Sequence, residues 1–143
     1  MIVNERVVSY INSLDRGNSD ICNIIEKEAI EDQVPIIRKE MGNLLKVLLK
    51  LKQPGSILEV GTAVGYSSIL MSENMPKDCR IVTIENYDKR IQAARNNIKR
   101  AGKEDCIQLI EGDALKVLKE LEGPYDFIFM DAAKGQYINY LPD

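Results

Sequence analysis

The sequence predicts an α/β fold: a parallel sheet covered by helices on both faces, preceded by a helical segment. Two observations carry that expectation. From Ser56 onward, short apolar runs alternate with amphipathic stretches: SILEVG, then YSSILMSEN; RIVTIE, then residues 87–101; CIQLIEG, then DALKVLKEL; and finally YDFIFMDA. Strands buried on both faces of a parallel sheet read as continuous apolar runs, and parallel neighbours need a crossover, usually a helix. The second observation is that glycine or an acid closes each run, a chemistry suited to the carboxyl ends of such strands.

Residues 1–52 form the helical part and residues 53–143 the first part of the sheet, all within a single domain. Val7, Ile11 and Leu14 share one helical face before RGNS interrupts. Asp20 is placed to cap a second helix carrying Ile21, Ile24, Ile25 and Ala29. The proline holds VPII extended, after which Met41, Leu44, Leu45, Leu48 and Leu51 recur at helical spacing. A turn at Gln53-Pro54-Gly55 leads into the first strand. In the helix of residues 87–101, Ile91, Ala94, Ile98 and Ala101 face inward. Right-handed crossovers make the whole a doubly wound sheet, of which about four strands are present.

Composition narrows the chemistry. The chain has no histidine, which removes Ser-His-Asp and Cys-His nucleophiles and the usual zinc sites. Acid–base work falls to carboxylates, lysine, tyrosine or water. Cys22, Cys79 and Cys106 form no CxxC pair and read as small buried hydrophobes in a reducing compartment. No apolar run is long enough to span a bilayer and no signal peptide is seen, so a cytoplasmic protein with no membrane partner is expected. Charge is uneven. Residues 20–32 are strongly acidic, whereas residues 87–103 carry six basic side chains against one acid, an asymmetry that permits an anionic partner.

In a sheet of this kind ligands bind beyond the carboxyl ends of the strands. After the first strand come Gly61, Thr62, Ala63, Val64 and Gly65, where Gly61 permits a tight turn and close approach to a ligand. The second strand ends in Glu85, placed to accept hydrogen bonds from both hydroxyls of a ribose. The third leads to Gly112-Asp113-Ala114, which could read an adenine edge, with Asp113 also capping the following helix. The fourth supplies Asp131 and Lys134. The dinucleotide fingerprint GxGxxG is absent, since Ala63 stands where its second glycine belongs, and no P-loop lysine occurs. An adenosine cofactor without phosphate, S-adenosylmethionine, fits better than NAD.

LEVGTAVGYSS, TIE, GDAL and FMDAAKGQY together resemble the metal-dependent O-methyltransferases related to catechol O-methyltransferase, with a Rossmann-like class I methyltransferase fold. VPI before a helix, NNIKR and an asparagine soon after DAAKGQY resemble more closely the bacterial branch that methylates 5-hydroxyuridine in the tRNA anticodon loop. The match runs from about Val34 to Tyr140. The resemblance implies that Ile37 lies against the cofactor where the family has methionine, that Gly61 and Thr62 line its methionine part, and that Ser67 binds its carboxylate. It places Glu85 on the ribose and Asp113 and Ala114 beside the adenine. Asp131 matches both a cofactor contact and the first Mg²⁺ ligand, and Lys134 aligns with the lysine assigned as general base.

The family's further Mg²⁺ ligands follow a fifth strand, which this chain does not reach, so the expectation is a C-terminally incomplete domain with one metal ligand. An uncovered fourth strand would expose an apolar edge, and a homodimer is expected to cover it. The acceptor implied is tRNA, with a small catechol-like phenol as the alternative. A non-catalytic S-adenosylmethionine-binding module also remains open.

Overall fold

A computed structural model describes residues 4–132 and 137–140. Three helices come first: α1 (Glu5–Ser13), α2 (Asp20–Glu31) and α3 (Lys39–Lys52). Strand β1 (Ser56–Val60), helix α4 (Tyr66–Ser72), β2 (Arg80–Glu85), α5 (Asp88–Arg100), β3 (Ile107–Glu111), α6 (Ala114–Glu120) and β4 (Phe127–Met130) follow, with a last turn of helix, α7 (Tyr137–Tyr140). The expected alternation is therefore present, with boundaries within a residue or two of those read from the sequence.

All pairings are parallel and the strand order is β3-β2-β1-β4. The chain steps outward from β1 through β2 to β3, then returns to lay β4 on the other side of β1. This reversal is the topological switch that opens a crevice at the carboxyl end of such a sheet.

Successive side chains on a strand point to opposite faces, and the two faces meet different partners. Ile57, Ile81, Ile107, Phe127 and Phe129 pack with Ile25, Leu45, Leu49, Ile69, Leu70 and Ile98 from the helices. Leu58, Val60 and Ile84 face the other way, toward Val117, Leu118 and Leu121 in and beside α6. Both faces of β1 are covered, which explains why its run is apolar without alternation, apart from Glu59.

The N-terminal helices differ from the sequence reading in which face they bury. Helix α3 buries Gly42, Leu45 and Leu49, because Gly42 lets the δ-carbon of Leu70 on α4 come within 3.3 Å of where a Cβ would stand. The Met41, Leu44, Leu48 and Leu51 stripe is turned outward, with Leu51 78% exposed. Helix α1 buries no residue, and Val7 and Leu14 are 52% and 63% exposed. Apolar spacing located these helices but could not say which neighbour each would meet. On α2, Cys22, Ile25 and Ala29 face the core, whereas Ile24 is exposed. Its N-cap is Ser19, whose hydroxyl accepts from the Cys22 amide at 3.2 Å, so Asp20 is the first helical residue rather than the cap. On α5, Ile91, Ala94 and Ile98 are buried as expected, with Asn97 beside them.

Cys22 and Cys79 are fully buried and Cys106 half-buried, all as free thiols. Burial, followed by the charge of Glu73, pushes the Cys22 thiol up to about 12, so it packs as an inert apolar group. No described helix is long and apolar enough to cross a membrane.

Asp126 ties the start of β4 to the turn before β1. Its Oδ2 accepts from the amides of Gly55 at 2.8 Å and Ser56 at 3.1 Å, and these bonds hold the carboxyl below its usual range. A group whose folded pKa is depressed stabilises above its unfolded pKa, near 3.8 for Asp, and loses that contribution as pH falls through the folded value. Asp126→Asn should therefore unfold at lower denaturant than the parent chain at pH 7, and the gap should close on acidification below about pH 3.8. Urea titrations at pH 7, 5 and 3 check this.

Candidate cofactor site

Beyond β1 the backbone bonds persist and draw the loops together. The Gly61 amide donates to the Ile84 carbonyl at 3.0 Å, the Asp131 amide to Val60 at 3.0 Å, and the Gly112 amide to Glu85 at 2.9 Å. Gly61 has φ +103°, and a Cβ built there would lie 2.6 Å from the Asp131 carbonyl oxygen. Glycine is required on both counts, since L side chains avoid that conformation and no atom fits that gap.

The loop after Gly61 is bent tightly. Ala63 has φ +49° and Gly65, which opens α4, φ +84°. A Cβ on Gly65 would meet Ala94 of α5 at 3.6 Å, so α4 and α5 approach closely at this point. The buried Asn97 side chain donates from Nδ2 to the Val64 carbonyl at 2.9 Å and holds the loop crest. This explains the second asparagine of NNIKR, which the sequence had shown only as part of a resemblance.

These loops enclose a cavity of about 800 Å³, within the range of small-ligand sites. Ile37, Gly61, Thr62, Ser67, Glu85, Asp113, Ala114 and Asp131 all line it. Every residue singled out for cofactor binding is thus brought to one place. Lys134 lies outside the described residues. Another groove, of about 760 Å³, lies at the amino ends of β2 and β3 and along α5. It is at the opposite end of the sheet from the converging loops.

Glu85 is the most firmly placed polar group. Its Oε2 accepts from the Ala63 amide at 2.8 Å, and its Oε1 from the amides of Asn86 at 3.0 Å and Tyr87 at 3.1 Å. Three backbone donors fix the carboxylate, two on Oε1 and one on Oε2, so Oε2 keeps acceptor capacity for a ligand hydroxyl. Asp113 is exposed and caps α6, accepting from the Lys116 amide at 3.3 Å, as expected. Ile37, on the extended segment before α3, forms an apolar wall. Arg90 and Tyr140 also line the cavity, and the Arg90 guanidinium stands 5.6 Å from the Tyr87 ring centroid. Neither residue was legible as a site residue from strand-end chemistry.

The floor of the site holds a charged residue that the sequence reading passed over. Glu59, in mid-β1, is fully buried on the face toward α4. Its carboxyl is bonded by the hydroxyls of Ser67, Ser68 and Thr83, and the Thr62 and Thr83 hydroxyls lie 2.6 Å apart. Burial pushes the Glu59 carboxyl up, against the opposing effect of the three hydroxyls. The signal was visible as an acid inside an apolar strand run, but its meaning needed the helix that supplies two of the hydroxyls.

Asp131 is exposed at the end of β4. Among the described residues no group of three or more His, Cys, Asp or Glu side chains is placed to hold a metal ion.

A family model described as O-methyltransferase matches residues 18–142. The chain belongs to the O-methyltransferase family. A catechol O-methyltransferase of Niastella koreensis is 36% identical over 142 residues, covering 95% of this chain and 64% of the relative. Among solved structures, an O-methyltransferase from Bacillus cereus in complex with SAH superposes with a TM-score of 0.86 at 28% identity, over 96% of this chain and 65% of that one. The O-methyltransferase TomG from Streptomyces achromogenes, in complex with SAM, gives 0.85 at 31% identity, over 99% of this chain and 68% of that one. The chain thus spans roughly two thirds of the length of these O-methyltransferases, and the Rossmann-like fold read from the sequence is theirs.

Gly61→Ala tests the packing of this site. The left-handed backbone costs a non-glycine residue about 1–2 kcal/mol, and relieving the clash with Asp131 adds about 1–3 kcal/mol. A loss of roughly 2–5 kcal/mol in urea unfolding is expected, against less than about 0.5 kcal/mol for an exposed control such as Lys119→Ala.

Proposed function

We propose that the chain forms the cofactor-binding region of an S-adenosylmethionine-dependent O-methyltransferase. The observation that carries the proposal is the placement of Glu85. Three amides hold its carboxylate in the lining of the cavity, and the strand order places it between Thr62 and Ser67, which follow β1, and Asp113 and Ala114, which follow β3. That layout suits a ribose between an adenine and an amino-acid tail, and Ala63 stands where a pyrophosphate-binding loop has its second glycine. When bound, S-adenosylmethionine supplies a methyl group already electrophilic at its sulfonium, so the chain need only align it with an acceptor oxygen. Glu85 accepts from a ribose hydroxyl through Oε2, Asp113 and Ala114 flank the adenine, Ile37 excludes water from one side, and Thr62 and Ser67 meet the polar tail.

Magnesium assistance, implied by the resemblance, does not fit the described residues. The ion takes six oxygens in octahedral array, and among the described residues no group of three or more His, Cys, Asp or Glu side chains is placed to supply them. No step is routed through a metal, and Lys134 keeps the role of base only as the resemblance implies it.

The acceptor is a ring hydroxyl, and two classes are in view. The 5-hydroxyuridine of a tRNA anticodon loop is supported by the six basic side chains of residues 87–103, but two of them are taken by acids. Arg100 grips Glu28 of α2 at 2.7 and 2.9 Å, and Arg95 pairs with Glu111. A small catechol-like phenol is favoured by the relative named as a catechol O-methyltransferase. A homodimer remains a proposal that rests on β4, an edge strand on which Ile128 is 57% exposed.

Calorimetry should show S-adenosylmethionine and S-adenosylhomocysteine binding and NAD not binding. Glu85→Gln should weaken S-adenosylhomocysteine at least tenfold, or about 1.4 kcal/mol, and lower the thermal transition, since at least one of the three amides then faces an NH2 group. Binding of NAD in preference to both would overturn the proposal. Methyl transfer to tRNA lacking the modification, beside transfer to catechol, separates the two acceptors.

A further inference from the structure

Large apolar side chains left exposed are not spread evenly over the molecule. Among the described residues five of them lie on α3 and four on α1, with no more than two on any other element. Single exposed apolar residues are ordinary, whereas a contiguous group marks a contact surface. This group is contiguous. Along α3, Met41, Leu44, Leu48 and Leu51 follow one another on a side away from Leu45 and Leu49, which face the core. Val47 stands beside Leu44 and Leu51 at helical spacing, and it shares a groove with Ile11 and Leu14 at the end of α1. Helix α1 has nine residues and buries none of them. A helix that short depends on packing to persist, and its apolar side is still open.

The chain exposes 9251 Å² in all, whereas a compact monomer of its 16.1 kDa exposes about 7,400 Å². The excess of roughly 1,800 Å² is more than the about 800 Å² that each partner gives to a standard interface. The row on α3 says what can fill it. Met41, Leu44, Leu48 and Leu51 are separated by three, four and three residues, so the row reads the same from either end. Two such rows laid antiparallel set Leu44 against Leu48 of a second copy, and Met41 against its Leu51. Apolar seams with this spacing interlock between helices, and a contact about a twofold axis has to be self-complementary in this way. The lysines within the span do not interrupt the row. Lys46 and Lys50 line the groove toward α1, where Lys46 pairs with Asp15 at 3.8 Å.

We infer that α3, flanked by α1, is a self-association face, its apolar row packed antiparallel against the same row of a second copy of this chain. The inference rests on the homodimer proposed above and assigns the contact to these helices instead of the β4 edge. On β4 only Ile128 is among the large exposed apolar residues, a smaller surface than the helices offer.

Sedimentation velocity on the 143-residue chain, at about 1 to 100 µM, reads the mass directly. A species of twice 16.1 kDa is expected. Leu44→Glu puts a charge at the centre of the row and should weaken association at least tenfold. Ile128→Glu should leave it within about threefold of the parent. Leu44 is already half exposed, so the separated protomer tolerates the acid, and its circular dichroism should match the parent's. Independently, Met41→Cys combined with Leu51→Cys should give a covalent dimer when oxidised with diamide, and either substitution alone should not. The two positions lie about 15 Å apart along one helix, too far for a bond within one chain. The parent, oxidised alongside, controls for the half-buried Cys106. The inference is overturned if Leu44→Glu leaves the dimer intact, or if Ile128→Glu dissociates it equally. It is also overturned if the double cysteine variant stays unlinked while the dimer persists. A parent chain that is monomeric throughout would bring down the homodimer reading as well.

Discussion

At the carboxyl end of the sheet, β1 and β4 run so close together that a single methyl group at Gly61 would collide with the backbone of Asp131. The rest of the site depends on that approach. It follows from topology: the chain lays β2 and β3 on one side of β1 and β4 on the other, and a crevice opens at the carboxyl end of the sheet where the strand order reverses. Gly61 lets the first loop turn within the crevice rather than fill it. Asn97 and the close α4–α5 contact then fix that loop from behind, and Glu85 fixes its front through the Ala63 amide. The cavity is therefore shaped mainly by backbone, with side chains adding polarity.

Much of this was legible because strand ends obey local rules. An apolar run followed by glycine or an acid places a residue at the sheet's rim whatever the remaining packing, so Gly61, Glu85, Asp113 and Asp131 could be assigned to one site by position alone. Ser67 and Ile37 came from a resemblance, and the cavity includes both. What escaped was whatever depends on two distant elements meeting. The outward turn of the Leu44 and Leu51 face on α3 depends on how closely α4 can approach Gly42, which no periodicity records. Arg90 and Tyr140 reach the cavity from a helix flank and from α7. The ion pair between Arg100 and Glu28 cancels charges that lie 72 residues apart in the chain, so acidic and basic stretches that looked like separate surfaces partly neutralise each other.

Glu59 shows why a buried polar residue can belong to a site it does not line. An acid in the middle of a central strand breaks the apolar pattern, and such a break persists only where partners satisfy it. Here the partners are hydroxyls on α4 and β2, two of which connect directly to the cavity floor.

The central claim is that three loops, after β1, β2 and β3, act as one adenosyl-cofactor site. Amide hydrogen exchange followed by mass spectrometry, with and without S-adenosylhomocysteine, tests it most directly. Joint protection of the segments around Gly61–Ser67, Glu85–Tyr87 and Gly112–Leu115 is the predicted result. Protection confined to one of them, or appearing instead along the groove between α5 and β3, would contradict the account.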